Sequence, residues 1–314
     1  MTYFFSHTSA LEFWRQPASL HNYGKPTRYS KPLPLPKQAH QAIHKVASDL
    51  GLSRPFSLVV PNPASRFSDP NLLFHCSSRQ LSGVSFFRAS QEALVSSPEL
   101  CYLQLAGIFN KINLALLGYE LCGTYRISPA TSAGFITERP LTSTKQLKKY
   151  LQGNSLMNHS RNASSVMKYI ADNSASPMES KLALILSLPM RLGGFGLPLP
   201  KLNNLIVDPE TSKRFYCDLY WEGKVRVDLE YDSALFHSTP SKLNKDALRR
   251  TNLAKLGIVV LNCNYPTVSN PASLRKTAHT IKKLLGIRNR KPPQGYYEKQ
   301  QTLHQSLFTS YAEF

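Results

Sequence analysis

The stretch CDLYWEGKVRVDLEYDSALFHS, from Cys217 to Ser238, holds five acids: Asp218, Glu222, Asp228, Glu230 and Asp232. Carboxylates gathered this way repel one another, so they need a compensating cation or free access to water. In KVRVDLEYD the residues alternate. Val225, Val227, Leu229 and Tyr231 share one face of a strand, and Lys224, Arg226, Asp228, Glu230 and Asp232 share the other. Neighbours two apart on one face stand about 6.5–7 Å from each other, close enough for two of them to hold a divalent cation directly or through water. Mg²⁺ suits such a place, since it takes a few carboxylates together with waters and substrate phosphates. Asp218 joins this set only in one register. A two-residue loop at Glu222-Gly223 turns it toward Val227 on the apolar side, whereas an odd loop or a bulge sets it opposite Asp228, diagonal to Glu230. A three-residue turn or a bulge is therefore predicted. The same alternation also describes an exposed edge hairpin with a charged outer face, and both readings stand at this point.

The elements that position this hairpin follow from the surrounding pattern. SPMESKLALILSLPM (176–190) predicts a helix, GGFGLPLP (193–200) a loop, and NNLIVD, KRFYCDLYW and KVRVDLEYD three strands. SKLNKDALRRTNLAKLG (241–257) predicts an amphipathic helix ending at a glycine, IVVLNC (258–263) a buried strand, and 271–286 a last helix before a basic tail. Upstream, SHTSALEFWR (6–15) predicts a helix in which Ser9 and Glu12 fit a capping box. PTRYSKPLPLPK (26–37) reads as an extended linker, 38–50 as a helix and 56–61 as a strand. SPELCYLQLAGIFNKINLALLGYELCG (97–123) reads as one strongly helical run, and TSTKQLKKYLQG as a basic helix. The polar composition of 128–176 places a domain boundary near 165–175. The expected division is a basic N-terminal α+β domain over 1–165, a second domain over 170–290, and a basic, aromatic tail over 291–314.

The chain has 314 residues, 38 Lys and Arg against 19 Asp and Glu, and a formal net charge of +19. Such an excess favours a polyanionic partner, with nucleic acid first and an anionic membrane second. The five cysteines, Cys76, Cys101, Cys122, Cys217 and Cys263, lie far apart and form no C-x-x-C pair, which argues against a zinc site or a disulfide framework and suits a cytoplasmic protein. MTYFFSHTSALEFWR lacks a signal-peptide pattern, and LALILSLPM is too short to span a bilayer, so no membrane is expected. Gly193, Gly194 and Gly196 have no following Lys-Ser/Thr, which excludes a P-loop. There is no serine nucleophile elbow and no H-E-x-x-H.

The order of motifs carries a resemblance. Ser-Pro-x-Glu opens a helix, an Asp ends a strand, Glu-x-Asp lies on the next strand, and a His follows five residues later. A helix with Asp-x-x-Arg and Leu-x-x-x-Gly then leads into an apolar strand. Over roughly 176–268 this resembles the PD-(D/E)XK nuclease superfamily, and within it the very-short-patch-repair endonuclease-like group of bacterial proteins. VSSPELCYLQLA resembles the region of type IV abortive-infection antitoxins that often precedes such a domain. The resemblance implies an α/β (α+β) fold with a restriction-endonuclease-like mixed central sheet flanked by helices. It implies a cytoplasmic Mg²⁺- or Mn²⁺-dependent DNA endonuclease, of use in phage defence or DNA repair. Asp218 and Glu230 would be metal ligands, and Glu179 would reach them from the first helix. His237 would be general acid or base, and Arg249 or Arg250 would bind phosphate. The usual last residue of the motif is a lysine that positions the nucleophile; here it is Asp232, and Lys242 or Lys245 are the nearby candidates to replace it. A homo-oligomer or a toxin–antitoxin partner is also implied. The rival is a DNA-binding regulator on the same fold that does not cut.

Each of these residues also has a structural role available. Ser176-Pro177-Met178-Glu179 is a complete capping box, so Glu179 could serve only the helix end. Asp218 could be a turn acid, and Asp232 could simply end its strand. His237 could be an ordinary loop residue. Asp246 and Arg250 have the spacing of a surface ion pair. Glu230, in contrast, sits mid-strand, where glutamate is disfavoured without a reason. Elsewhere, Lys145, Lys148 and Lys149 form a basic helix face, and Arg288, Arg290 and Lys291 a basic segment that could meet a phosphate backbone. Phe86 and Phe87, or Tyr296 and Tyr297, are suited to core packing before base stacking.

Overall fold

In the computed structural model, which describes residues 1–18, 25–232 and 240–308, the chain forms two compact units, Met1–Lys168 and Tyr169–Phe314. Both mix helices and strands, as an α+β fold requires.

In the first unit the elements run β1 (Tyr3–Phe5), α1 (His7–Arg15), α2 (His40–Asp49), β2 (Phe56–Val60), β3 (Leu72–Cys76), β4 (Phe86–Arg88), β5 (Ala93–Ser96), α3 (Pro98–Leu105), α4 (Lys111–Cys122), β6 (Tyr125–Ile127), β7 (Phe135–Thr137), α5 (Thr144–Gly153) and α6 (Ser160–Val166). Five strands pair in the order β3-β2-β1-β5-β4, with β1 antiparallel to β2 and parallel to β5. The centre of that sheet is YFF, a strand too short to show a period-two pattern; all three residues are buried. The run 97–123 is two helices, not one. Asn110 Oδ1 accepts from the N–H groups of Ile112 and Asn113 at 2.9 Å each, capping α4 and breaking the run. The capping box expected at Ser9 and Glu12 does not form: Ser6 precedes α1, Ser9 Oγ accepts from Ser57 N–H at 2.9 Å, and Glu12 takes the backbone N–H and hydroxyl of Ser53. Inside this unit Arg15 donates to both oxygens of Glu120, at 2.9 and 2.8 Å, in a largely buried pair.

In the second unit the order is α7 (Pro177–Ser187), β8 (Lys201–Val207), β9 (Arg214–Trp221), β10 (Arg226–Asp232), α8 (Pro240–Lys255), β11 (Ile258–Asn264), α9 (Tyr265–Ser269), α10 (Pro271–Leu285) and α11 (Tyr296–Phe308). The four strands pair as β11-β10-β9-β8. β8, β9 and β10 form an antiparallel meander, and β11 returns parallel to β10 after α8. That return needs a crossover helix, which is why the amphipathic run 241–257 must lie on the sheet. Its Leu253 is fully buried in a cluster with Phe215, Cys217, Tyr220 and Ile258. On β10, Val227 and Leu229, which point the other way, are also fully buried, and α10 contacts β10.

Two expectations change here. β11 is an edge strand with only Ile258 and Cys263 fully buried, not a buried strand throughout. The stretch expected as a tail after 290 contains α11, whose Tyr296, Gln300, Leu303, His304, Leu307 and Phe308 are buried within this unit. Arg275 donates to Gln300 Oε1 at 2.7 Å, and His304 Nε2 lies 2.6 Å from the Val268 carbonyl oxygen. The GGFG loop serves this packing. A Cβ on Gly194 would strike the Leu188 carbonyl, and one on Gly193, at a φ of +87°, the Lys299 carbonyl of α11.

Candidate functional site: a carboxylate and arginine cleft

Five residues, not the expected three, separate the paired Trp221 and Val227; this odd register still brings Asp218 toward the acidic face, though not opposite Asp228. Val227 pairs with Trp221, Asp228 with Tyr220 and Leu229 with Leu219, so the next position in the series sets Asp218 beside Glu230. The ladder stops there. Asp218 Oδ2 instead accepts the backbone N–H of Tyr231 at 3.0 Å. On its other side, β8 and β9 pair at Leu202–Leu219 and again at Asn204–Cys217, skipping Asn203 and Asp218. Asn203 sits at a φ of +46°, and Cys217 and Tyr220 join one core cluster although strict alternation would send them to opposite faces. The pairing resumes in the same register beyond Asn203 and Asp218, so no residue is inserted and the expected bulge does not form; the left-handed Asn203 breaks the pleat there instead.

Beside this irregularity lies a cleft of about 350 Å³, lined by Tyr216, Asp218, Glu230, Tyr231, Asp232, Arg249, Arg250 and Asn262. The two strands bring Asp218, Glu230 and Asp232, while α8 brings both arginines. β11 contributes Asn262 through its pairing with Glu230. Arg249 Nε donates to Glu230 Oε1 at 2.9 Å, its Nη2 makes a second bond to the same oxygen, and Nη2 also reaches the Tyr216 carbonyl at 2.6 Å. Burial raises the Asp218 carboxyl above the usual carboxylate range, against the pull of the Tyr231 N–H, and the neighbouring Glu230 charge adds to the rise. Two residues before Glu230 on the same face, Asp228 is completely buried, and neither of its oxygens makes a hydrogen bond of ordinary geometry among the described residues. Burial pushes its carboxyl up to about 8, with the Glu230 charge next and the Cys217 thiol and Asp218 also beside it.

Glu179 is placed differently from its expected role as third ligand. Ser176 Oγ donates to its Oε1 at 2.9 Å, and the Ala175 N–H and the Asn203 amide donate to Oε2 at 2.9 and 2.7 Å. Ser176 Oγ in turn accepts the Glu179 N–H at 3.2 Å. This is the reciprocal capping box, with the displaced Asn203 as an extra donor, and it keeps Glu179 off the cleft wall. Burial raises its carboxyl to about 7 against the pull of the Ala175 N–H, and the Asp218 charge adds to that rise.

The remaining candidates divide. Arg250 is exposed at the cleft, and Lys245 is exposed on α8 without lining it. His237 and the side chains of Lys242 and Asp246 lie outside the described residues. Among the described residues no three His, Cys, Asp or Glu side chains are grouped closely enough to hold a metal ion. Asp218 and Glu230 are the cleft carboxylates on neighbouring strands that could take part in holding a cation, with waters and a phosphate completing its shell. Sequence reasoning missed Tyr216 and Asn262 as wall residues. Asn262 had a signal, a polar side chain inside the apolar run IVVLNC; Tyr216, whose carbonyl does the bonding, had none.

No described helix is long and apolar enough to cross a membrane. Compared with protein-family models, curated proteins and solved structures, the chain finds no match in any of the three.

Proposed function

We propose that the second unit is a nuclease-like domain that holds a DNA phosphodiester in the cleft and hydrolyses it with Mg²⁺ or Mn²⁺, in a bacterial cytoplasm. The observation that carries the reading is the cleft itself, where Asp218, Glu230 and Asp232 share walls with Arg249 and Arg250 on a chain of net charge +19. The helix–three strands–helix–strand order, with the acids on adjacent strands, supports it as the arrangement the PD-(D/E)XK resemblance implies. Asp218 and Glu230 would hold the cation, which when bound polarises the phosphate and lowers the pKa of an attacking water. Arg249 now neutralises Glu230; with that charge met otherwise, its planar fork is free to grip two phosphate oxygens. Arg250, exposed on the wall, holds a neighbouring phosphate. Glu179 acts through structure, fixing the start of α7 and, through Asn203, the irregular edge that aims Asp218.

A second reading, a DNA-binding regulator that does not cut, is favoured by two observations: Glu230 already has its cation in Arg249, and Asp232 stands where the motif's lysine would be. Plasmid DNA incubated with Mg²⁺ or Mn²⁺ decides between them. Cutting that disappears in Glu230→Ala supports the nuclease. Salt-sensitive binding without cutting, or cutting that survives Glu230→Ala, rejects it.

A further inference from the structure

The first unit contains a second hollow, of about 340 Å³, that the nuclease reading does not use. Its walls carry five basic side chains, His7, His75, His159, Arg66 and Arg79, and no acid. Among the described residues no carboxylate pairs with any of the five. The His7 and His75 rings stack with centroids 3.5 Å apart and planes inclined by 18°. Burial, and then the charges of His75 and His159, hold the His7 imidazole far below its usual range, at about 3; burial and Arg66 lower His75. His7 is also the first residue of α1, whose amide end adds partial positive charge.

Three details set the hollow apart from an accident of packing. His7 and His159 both take left-handed backbone conformations, at φ of +48° and +63°, which non-glycine residues rarely adopt and which concentrate at ligand sites. His75 Nε2 and Ser77 Oγ are buried without a hydrogen-bond partner among the described residues. The two guanidinium groups are tethered by one end each: Arg66 Nε donates to Cys76 Sγ at 3.1 Å, and Arg79 Nη1 to the Leu156 carbonyl. The lining also includes the apolar side chains of Phe74, Phe86, Leu100 and Leu103. A hollow of this size with apolar lining and convergent polar groups has the form of a small-ligand site.

We propose that this cavity binds a phosphate monoester carried on a nucleoside, the phosphate meeting Arg66, Arg79 and the histidines and the nucleoside lying against Phe74 and the leucines. A dianion supplies the charge that the five basic groups lack, and its oxygens accept from the free guanidinium edges and from the donors left unpaired. The ligand could be a free nucleotide or the 5′-phosphorylated end of a strand, which share this chemistry.

Calorimetric titration of the full chain with a nucleoside 5′-monophosphate, and with the same nucleoside lacking phosphate, tests the assignment. The nucleotide is expected to bind saturably and the nucleoside at least about tenfold more weakly, a gap of about 1.4 kcal/mol. Arg66→Gln and His75→Asn should each weaken the nucleotide about tenfold. Lys148→Gln, on the basic face of α5, controls for general attraction to a cationic protein and should change it less than twofold. Glu230→Ala should leave it unchanged, which separates this site from the cleft. Oligonucleotides with and without a 5′-phosphate then identify the source: preference for the phosphorylated strand over the free nucleotide assigns a strand end, and the reverse assigns a nucleotide. Absence of saturable binding by every phosphorylated probe, or equal weakening by Lys148→Gln, overturns the proposal. Unchanged binding in an Arg66→Gln protein that keeps its circular dichroism overturns it as well.

Discussion

The two hollows are charged in opposite senses. The cleft of the second unit sets three carboxylates against two arginines, and one arginine is already spent on Glu230. The hollow of the first unit gathers five basic groups without a single acid. The difference lies in how each tolerates its own charge. His7 and His75 respond by giving up their protons more readily: burial and neighbouring positive charge move His7 far down, and burial with Arg66 lowers His75. The carboxyls respond in the mirror sense: burial raises Asp218 on the cleft wall above its usual range, and Asp228, buried two residues before Glu230 on the same strand, is pushed up to about 8. Around both hollows burial thus holds these groups toward their neutral forms, while Arg66, Arg79 and Arg250 keep their charges at the exposed edges.

Asp228 offers the largest effect by which to sharpen that contrast. Its carboxyl is raised in the fold, from an ordinary value near 4 to about 8. The folded chain therefore holds the proton more tightly than the unfolded chain does. Stability declines as pH rises from about 4 to about 8 and levels off above that. Asp228→Asn removes the charge and nearly preserves the shape. It should stabilise the second unit most at pH 8, and by about 1.4 kcal/mol less for each pH unit below that down to about 4. Urea denaturation at pH 5, 6.5 and 8 reads the trend. An effect of equal size at all three values would mean that Asp228 is not holding back a charge, and the contrast between the two hollows would fail on the acidic side.

Glu179 is next. Glu179→Ala strands the Ala175 N–H, the Asn203 amide and the Ser176 hydroxyl together, and should cost about 2 kcal/mol. Glu179→Gln keeps an oxygen for one of the donors and should cost less. Neither should weaken DNA binding by more than about twofold, because the side chain does not line the cleft. Cutting lost in Glu179→Gln with stability intact would return Glu179 to the role the sequence first suggested for it.

That double role of Glu179 shows where the sequence was legible. Helices and strands of the second unit follow their hydrophobic periods, and the odd register was readable because only it gives Asp218 access to the acidic face. The helix break at Asn110 was hidden because the apolar run continues across it, and a single side-chain cap decides the matter. β1 was hidden because three residues carry no period. Asn203 was harder still. Its positive φ, its escape from the ladder and its bond to Glu179 are all consequences of tertiary pairing, and an asparagine inside NNLIVD announces none of them. The histidine hollow was unreadable for the same reason. His7, His75 and His159 are far apart in the chain, and no spacing rule joins a helix start, a strand and a turn.

The smallest effect bears on which hollow meets a duplex. Arg250 is exposed on the cleft wall, so Arg250→Ala should leave stability within about 0.5 kcal/mol. If it holds one phosphate, the slope of log affinity against log salt should fall by about 0.9. Arg249→Ala should lower the slope likewise and weaken binding further, because it also leaves Glu230 uncovered beside Asp218 and Asp232, facing the polyanion. Arg66→Gln removes the same charge from the other unit. Electrostatic attraction at long range treats these three changes alike; a contact does not. A titration of duplex binding across 50–200 mM salt in which Arg66→Gln keeps the wild-type slope, while the two cleft variants lose theirs, assigns the duplex to the acidic hollow, because only a phosphate seated between Arg249 and Arg250 can tell which unit lost its charge.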